Sequence, residues 1–163
     1  GMAFAKAQLA AGQNLPKEGT VFFSLRDQDK TPTAARVARH FHEMGFDLVA
    51  TDGTCTFLGN EDIPCERINK VREGRPHIVD AIINGEIGLV VNTPSGKHPR
   101  QDEIAIRSTS WARRVPIITT IPGAVAAVQA VANLKETEIS VRTLQEYTMD
   151  THGEVPEPMT GDQ

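Results

Sequence analysis

The sequence predicts an α/β fold with three layers: an open, mainly parallel five-stranded sheet with helices on both faces. Short runs such as residues 20–25 are apolar at successive positions, which is typical of strands covered on both faces. Longer segments such as residues 31–44 carry apolar residues every three or four positions, which is typical of amphipathic helices. The two kinds of segment alternate along the chain, and this alternation is the pattern of parallel sheets.

In the first half, residues 20–25 are predicted as a strand and residues 26–30 as a charged loop. A helix is predicted over residues 31–44, because a proline is acceptable in a first helical turn and a glycine follows the segment. Residues 46–50 form the second predicted strand. A short helix follows and ends at Gly59.

In the second half, the same alternation continues to the polar end of the chain. The predicted segments are strand 63–68, loop 69–77, helix 78–83, strand 87–91, loop 92–102, helix 103–114, strand 116–119, helix 122–134, a short strand 139–141 and a turn 143–147. Pro64 places the first of these strands at an edge of the sheet, because proline cannot donate to a ladder of backbone hydrogen bonds.

The composition of the chain limits the classes of function that it can have. A chain of 163 residues with 39% apolar and 23% charged residues is ordinary for one globular domain, and no apolar run approaches the roughly 20 residues of a membrane span. A net charge of −4 argues against nucleic-acid binding. No signal peptide is recognisable, so we expect a cytoplasmic protein with no membrane partner. Cys55 and Cys65 are expected to be reduced thiols, and no cluster has metal-ligand spacing.

The predicted domain occupies residues 20–149. Before it, Gly1 preceding Met2 resembles a scar of tag removal, residues 3–11 form a short helix, and a linker extends to residue 19. After it, residues 150–163 are polar and proline-containing and are predicted to be disordered. We therefore expect a fragment cut from a longer protein.

The turn at residues 51–54 is the first candidate for a ligand site. Here the strand over residues 46–50 breaks into a helix at Asp52-Gly53. Free backbone N–H groups, the positive end of the helix dipole and the hydroxyls of Thr51 and Thr54 suit a phosphate. The alternative is an ordinary strand-to-helix turn built from small polar residues.

Other polar side chains share this edge of the predicted sheet, where α/β folds bind their ligands. Hydroxyl and amide side chains at or just after strand ends are Ser24, Thr51, Thr54, Asn92, Thr93 and Thr119. Basic side chains in the neighbouring loops are Lys30, Lys70, Arg72, Arg75, Lys97 and Arg100. This set predicts a site for a phosphorylated small molecule, although polar residues also collect in loops that bind nothing.

Five motifs carry a resemblance to a known family: SLRDQDK, ATDGT, NKVREGRPHIVDAI, INGE and VVNTPSG. In this order and spacing they resemble the C-terminal regulatory domain of the carbamoyl phosphate synthase large subunit, which has the methylglyoxal synthase-like fold. The resemblance covers residues 3–147, and the opening AFAKAQ is similar to the end of the preceding domain in that subunit.

The resemblance implies an allosteric domain within a cytoplasmic, glutamine-hydrolysing ligase. That enzyme makes carbamoyl phosphate for pyrimidine and arginine biosynthesis, with ATP and Mg²⁺ bound elsewhere in the full-length subunit and ammonia drawn from a glutaminase small subunit. The domain itself is non-catalytic and holds no cofactor. It binds UMP, IMP or both, and ornithine binds at the seam with its neighbour.

Residue by residue, the resemblance implies two groups of effector contacts. The phosphate meets Lys30, Thr51, the turn amides at Gly53, Thr54 and Lys70. Asn92, Thr93 and Ser95 match the loop for base and ribose, Ser24 lies beside it, and Thr119 matches an ornithine-facing threonine. Pro94 replaces a threonine of the family pattern, and this departure bears on which nucleotide binds best.

Three alternatives stay open. A stand-alone methylglyoxal synthase-like enzyme would act on dihydroxyacetone phosphate, but Arg75 occupies the place of its aspartate base and stays protonated. Asp52 and His77 are close in sequence to the predicted site residues, so some acid–base chemistry there stays open. The cyclohydrolase half of the bifunctional purine enzyme shares the fold, and an interaction domain without ligand is the third alternative. His98 precedes a proline in the 92–102 loop and either touches the ligand or is only a loop residue.

Overall fold

The structure is a computed structural model and describes residues 15–96 and 100–154. The predicted helix over residues 3–11, most of the tail, Lys97 and His98 lie outside the described residues. The division of the chain into leader, domain and tail therefore stays a prediction.

The sheet has five strands, all parallel, in the order β3-β2-β1-β4-β5. The strands are β1 Thr20–Ser24, β2 Asp47–Ala50, β3 Glu66–Arg67, β4 Leu89–Asn92 and β5 Ile117–Ile118. The predicted α/β class and the edge position of the third strand are confirmed. The strands β3 and β5 have only two residues each, shorter than predicted.

Five helices flank the sheet in the described part of the chain. They are α1 Pro32–Glu43, α2 Asp52–Asn60, α3 Ile78–Ile83, α4 Gln101–Ala112 and α5 Ile121–Glu154. Two single 3-10 turns, Asp27–Asp29 and Val71–Glu73, lie in the loops that were predicted to be irregular. The α1 helix begins at a threonine N-cap, whose side chain accepts a hydrogen bond from the third helical residue.

The sheet is covered on both faces, as predicted. Val21 and Phe23 of β1 belong to a core cluster shared with α1, α2 and α5, whereas Phe22 belongs to a second cluster shared with α3 and α4. This alternation follows from the two-residue period of a strand. All three side chains are almost completely buried, which explains the continuous apolar run in the sequence.

The C-terminal helix differs from its prediction. The α5 helix runs to Glu154, so the predicted end near residue 134, the strand over residues 139–141 and the turn over residues 143–147 are wrong, and residues 150–154 are helical. The β-branched residues in this stretch suggested a strand. No glycine or proline interrupts residues 124–152, and an established helix propagates readily through such a sequence.

The strand order places a topological switch point between β1 and β4. From β1 the chain moves outward through β2 to β3, then returns to the other side of β1 as β4. Ser24 and Asn92 are paired in register at the carboxyl ends of these two strands. A crevice opens at such a point in open α/β sheets, and ligands bind there.

Candidate functional site

A cavity of about 420 Å³ lies at the carboxyl ends of β1, β2 and β4. The nine residues predicted to bind an effector nucleotide all line it: Ser24, Lys30, Thr51, Gly53, Thr54, Lys70, Asn92, Thr93 and Ser95. They come from five separate stretches of the chain, which the parallel topology brings to one edge. Thr119 is partly buried just beyond β5 and does not line this cavity.

The N-terminus of α2 forms one wall. Thr51 is the N-cap, and its side chain makes no capping hydrogen bond. As at any helix start, the first-turn N–H groups have no acceptor within the helix, so they remain open to a ligand. The first N–H of the helix with a backbone acceptor is that of Cys55, which donates to the Thr51 carbonyl oxygen at 2.7 Å. A Cβ placed on Gly53 would lie 3.1 Å from Lys30 Nζ. The turn therefore offers free N–H donors, with the Lys30 ammonium beside Gly53.

Three hydroxyl groups meet behind this turn. Thr54 is 1% exposed, and its Oγ1 accepts a hydrogen bond from the Leu25 N–H at 2.9 Å. Thr51 Oγ1 lies 3.4 Å from Thr54 Oγ1 and 3.5 Å from Ser24 Oγ. Because the Thr54 oxygen already accepts, its hydroxyl hydrogen remains to be donated. Thr54 thus fixes the end of β1 as well as lining the cavity, a dual use that the sequence did not predict.

The end of β4 is held in a similar way. The Thr93 N–H donates to the Ser24 carbonyl oxygen at 3.0 Å, and Thr93 Oγ1 accepts from the Arg26 N–H at 2.9 Å. Asn92 and Thr93 are both nearly inaccessible to solvent. The position of this wall is therefore set by backbone hydrogen bonds between neighbouring loops.

Lysines supply positive charge at the mouth of the cavity. Lys30 Nζ lies 2.8 Å from Asp27 Oδ1, and this hydrogen bond and the lysine charge lower the pKa of the exposed Asp27 carboxyl. A bound phosphate would compete with Asp27 for the same ammonium group. Among the side chains that the structure describes, no carboxylate lies within ion-pair distance of the Lys70 ammonium, which is therefore ready for an anion.

The N-terminus of α4 lines another part of the cavity and brings two carboxylates to it. Arg100, Asp102, Glu103 and the apolar Ile106 line this part. The sequence reading missed the two carboxylates as cavity residues. Their signal was present, since acidic residues in a first helical turn mark a helix start, and α4 begins at Gln101 rather than at the predicted residue 103.

Two predicted basic residues, Arg72 and Arg75, do not line this cavity, although one partner of Arg72, Asp102, does. An Arg72 terminal nitrogen donates to Gln101 Oε1 at 2.6 Å, and Arg72 Nε lies 3.9 Å from Asp102 Oδ1. Arg75 pairs with Asp80 at 3.1 Å. Neither arginine lines the cavity. Their contacts stabilise the loop between β3 and α3 instead.

The residues considered for acid–base chemistry also lie outside it. Asp52 is exposed and pairs with Arg67 at 3.1 Å. His77 is the N-cap of α3, where its Nδ1 accepts from the Asp80 N–H at 3.4 Å. Neither side chain lines the cavity, so the structure does not bring a general base from either residue to this site.

The two cysteines lie outside the cavity lining. Cys55 and Cys65 are free thiols, and burial, with a smaller effect of Cys55, raises the pKa of Cys65 to about 12. Within the described residues there is no group of three or more potential metal ligands, and no helix there is long and apolar enough to cross a membrane.

Comparisons with known proteins identify similar sequences. A family model described as "MGS-like domain" matches residues 33–119. The chain is 50% identical over 147 residues to a carbamoyl phosphate synthase large chain of Gemmatimonas aurantiaca, and the matched region covers 90% of this chain and 13% of that protein. It is 46% identical over 147 residues to the large chain of Archaeoglobus fulgidus, covering 90% of this chain and 14% of that protein. It is 48% identical over 147 residues to a protein of Methanopyrus kandleri named "Carbamoyl phosphate synthase large chain, C-terminal section", covering 90% of this chain and 27% of that protein. This chain thus spans a minor part of the length of each of these relatives.

Proposed function

This chain belongs to the MGS-like domain family, and we propose that it is the effector-binding domain at the C-terminal end of a carbamoyl phosphate synthase large chain. In this proposal the domain binds UMP, IMP or both in the cavity beyond β1, β2 and β4. Binding tunes carbamoyl phosphate synthesis elsewhere in a cytoplasmic, glutamine-hydrolysing enzyme.

One observation carries the proposal. Donors and cations suited to a phosphate converge on a single cavity although they are distant in sequence: the α2 turn, the Lys30 ammonium against it, and Lys70 from a third loop. Hydrogen bonds between ionised groups and preset N–H donors are stronger than neutral ones. These groups line one cavity and match the chemistry of a phosphate, so a phosphorylated ligand is the simplest account of them.

The two ends of the cavity suit the two ends of a nucleotide. The phosphate belongs at the α2 turn with Lys30 and Lys70. The nucleoside belongs toward Asn92, Thr93 and Ser95, where hydroxyl, amide and carboxylate groups can pair with ribose and base. Ile106 adds an apolar surface at that end.

The wider setting of the proposal comes from the relatives' names and the family resemblance. The partners are the remainder of the large chain and a glutaminase subunit. ATP and Mg²⁺ belong to other parts of the full-length protein, and the product feeds pyrimidine and arginine biosynthesis. Thr119 lies apart from the nucleotide cavity, where it would face ornithine at a seam with the preceding domain.

Regulation then follows from linkage. A nucleotide shifts the enzyme only if it binds one conformation of the whole protein better than another, and such couplings are typically about 1–3 kcal/mol. The segment from Asn92 to Asp102 is the proposed transmitting element, because it joins the cavity to α4. Hydrogen exchange in this segment should slow when nucleotide binds, and unchanged exchange would argue against this route.

Calorimetric titration tests the binding proposal. UMP and IMP are titrated into the wild-type chain, into Thr51→Val and into Thr56→Val. Thr51 lines the cavity, whereas Thr56 is exposed on the same helix and does not. We expect affinity to fall roughly tenfold in Thr51→Val, since a hydrogen bond to a charged group is lost. It should stay unchanged in Thr56→Val. Equal affinities in all three chains would remove the α2 turn from the site.

An enzymatic assay separates this proposal from the methylglyoxal synthase alternative. The isolated chain is incubated with dihydroxyacetone phosphate, and methylglyoxal is measured. We expect none above the uncatalysed background, because Arg75 occupies the place where the family resemblance puts the aspartate base, and neither Asp52 nor His77 lines the cavity. Steady turnover would favour the stand-alone enzyme over the regulatory domain.

A further inference from the structure

We propose that Glu103 is a positioning residue that shapes the nucleoside end of the cavity, an inference that rests on the proposed nucleotide binding. Its side chain is buried, with the whole residue only 8% exposed. One carboxylate oxygen, Oε2, accepts from the Ser95 N–H at 3.0 Å, and the other, Oε1, accepts from the Arg100 N–H at 2.7 Å. A single carboxylate thus holds two points of the backbone that both line the cavity.

Helix capping explains only one of these bonds. Glu103 is the third residue of α4, and a carboxylate at this position commonly accepts from the N–H of the N-cap residue, here Arg100. The bond to Ser95 lies outside that motif. Among the described side chains, no cation lies within ion-pair distance of Glu103, and its two carboxylate oxygens accept from these two N–H groups.

The second bond sets the geometry of the effector loop, which we define as residues 93–96 together with residue 100. The start of this loop is bonded to β1 through the Thr93 N–H, which donates to the Ser24 carbonyl oxygen, and Glu103 supplies the next bond at Ser95. Ser95 and Arg100 therefore keep their places relative to α4 through the same side chain. A ligand that reaches this end should depend on Glu103. A ligand that occupies only the Lys30 end should not.

The test compares Glu103→Ala and Glu103→Gln with the control Asp80→Ala. Asp80 is the third residue of α3 and accepts from the His77 N–H at 3.0 Å, so it has the same capping role away from the cavity. Binding of UMP, IMP and inorganic phosphate is measured on each chain by calorimetry. Unfolding temperatures confirm that each variant is folded at the temperature of the titration.

We expect nucleotide affinity to fall about tenfold in Glu103→Ala, from the loss of preset loop geometry. Glu103→Gln should fall between this variant and wild type, because its amide keeps one acceptor and turns an NH₂ group toward the other N–H. Affinity for inorganic phosphate should change less than about twofold in both. Asp80→Ala should bind all three ligands as wild type does.

Hydrogen exchange supplies a readout that needs no ligand. The amide protons of Ser95 and Arg100 should exchange faster in Glu103→Ala than in wild type, and stay protected in Asp80→Ala. Unchanged exchange at Ser95, or nucleotide affinity equal to wild type in Glu103→Ala, would overturn the inference. Failure of the wild-type chain to bind either nucleotide would instead overturn the proposed function, and the exchange of Ser95 would still decide the role of Glu103.

Discussion

Gly53→Ala should separate stability from ligand binding, because the two are expected to change in opposite directions. Gly53 lies in the first turn of α2 and its φ is not in the left-handed region, so alanine fits the backbone. Replacing a helical glycine by alanine stabilises a protein by roughly 0.5–1 kcal/mol. For a chain of this size that is a rise in unfolding temperature of about 1–4 °C.

Ligand binding should weaken in the same variant. The new methyl group would lie 3.1 Å from Lys30 Nζ, closer than most such contacts, and the flexible lysine end would move away from the turn. The methyl group would also occupy part of the space that a phosphate oxygen needs beside the α2 donors. Displacing one cation and crowding these donors should cost about 1.4 kcal/mol, which is tenfold in affinity.

Gly59→Ala is the matched control. Gly59 lies in the same helix with nothing within 4 Å of an added Cβ, and it does not line the cavity. Thermal unfolding and calorimetry with inorganic phosphate and UMP would be run on both variants. Gly59→Ala should gain stability and keep its affinity. If Gly53→Ala binds phosphate as tightly as Gly59→Ala, then the α2 turn is not the phosphate site.

Three further predictions concern single side chains. Thr54→Val leaves the buried Leu25 N–H without its acceptor, so the free energy of unfolding should fall by about 1–3 kcal/mol and the unfolding temperature by about 2–12 °C. Thr54→Ser, which keeps the hydroxyl, should stay near wild type in calorimetry. Asp27→Asn frees Lys30 and removes a negative charge from the cavity mouth, so phosphate affinity should rise about two- to fivefold, and a fall would contradict the assigned role of Lys30. Burial raises the pKa of the Cys65 thiol to about 12, so its alkylation at pH 8 should be at least about a hundredfold slower than that of free cysteine and should keep accelerating up to pH 10. Mass spectrometry of the Cys65 peptide measures the rate, and labelling as fast as that of free cysteine would contradict the raised pKa.

The sheet was predictable because its central strands β1 and β4 are buried on both faces. The apolar runs of the strands and the residues after them, such as Thr51 and Asn92, follow directly from the sequence pattern. The carboxyl ends of parallel strands meet at one edge, so the nine predicted cavity residues followed from the strand ends and the family motifs, whereas Asp102 and Glu103 did not. The closeness of Gly53 to Lys30 Nζ could be seen only in the structure, because it depends on tertiary packing.

Other features depended on contacts that no local pattern reveals. Residues 137–147 contain β-branched side chains that favour a strand, yet they continue α5, because the preceding helix is already anchored by buried Ala124, Ala127 and Val131. The Thr54 and Thr93 hydroxyls were predicted only as ligand contacts, but both accept hydrogen bonds from backbone N–H groups of the loop after β1. Glu103 was predicted only as the first residue of a helix, and its bond to Ser95 is seen only in the loop geometry of the structure.

The most direct test of nucleotide binding is thermal unfolding of the chain with UMP, IMP and inorganic phosphate, repeated on Lys70→Ala. Ligand at about a hundred times its dissociation constant stabilises the folded state by roughly 2.7 kcal/mol, a rise of about 5–10 °C for a domain of this size. We predict such a rise with UMP or IMP, and its loss in Lys70→Ala, since the Lys70 ammonium lines the cavity without a carboxylate partner among the described side chains. No rise with either nucleotide, or an equal rise in Lys70→Ala, would contradict a nucleotide phosphate bound at this cavity.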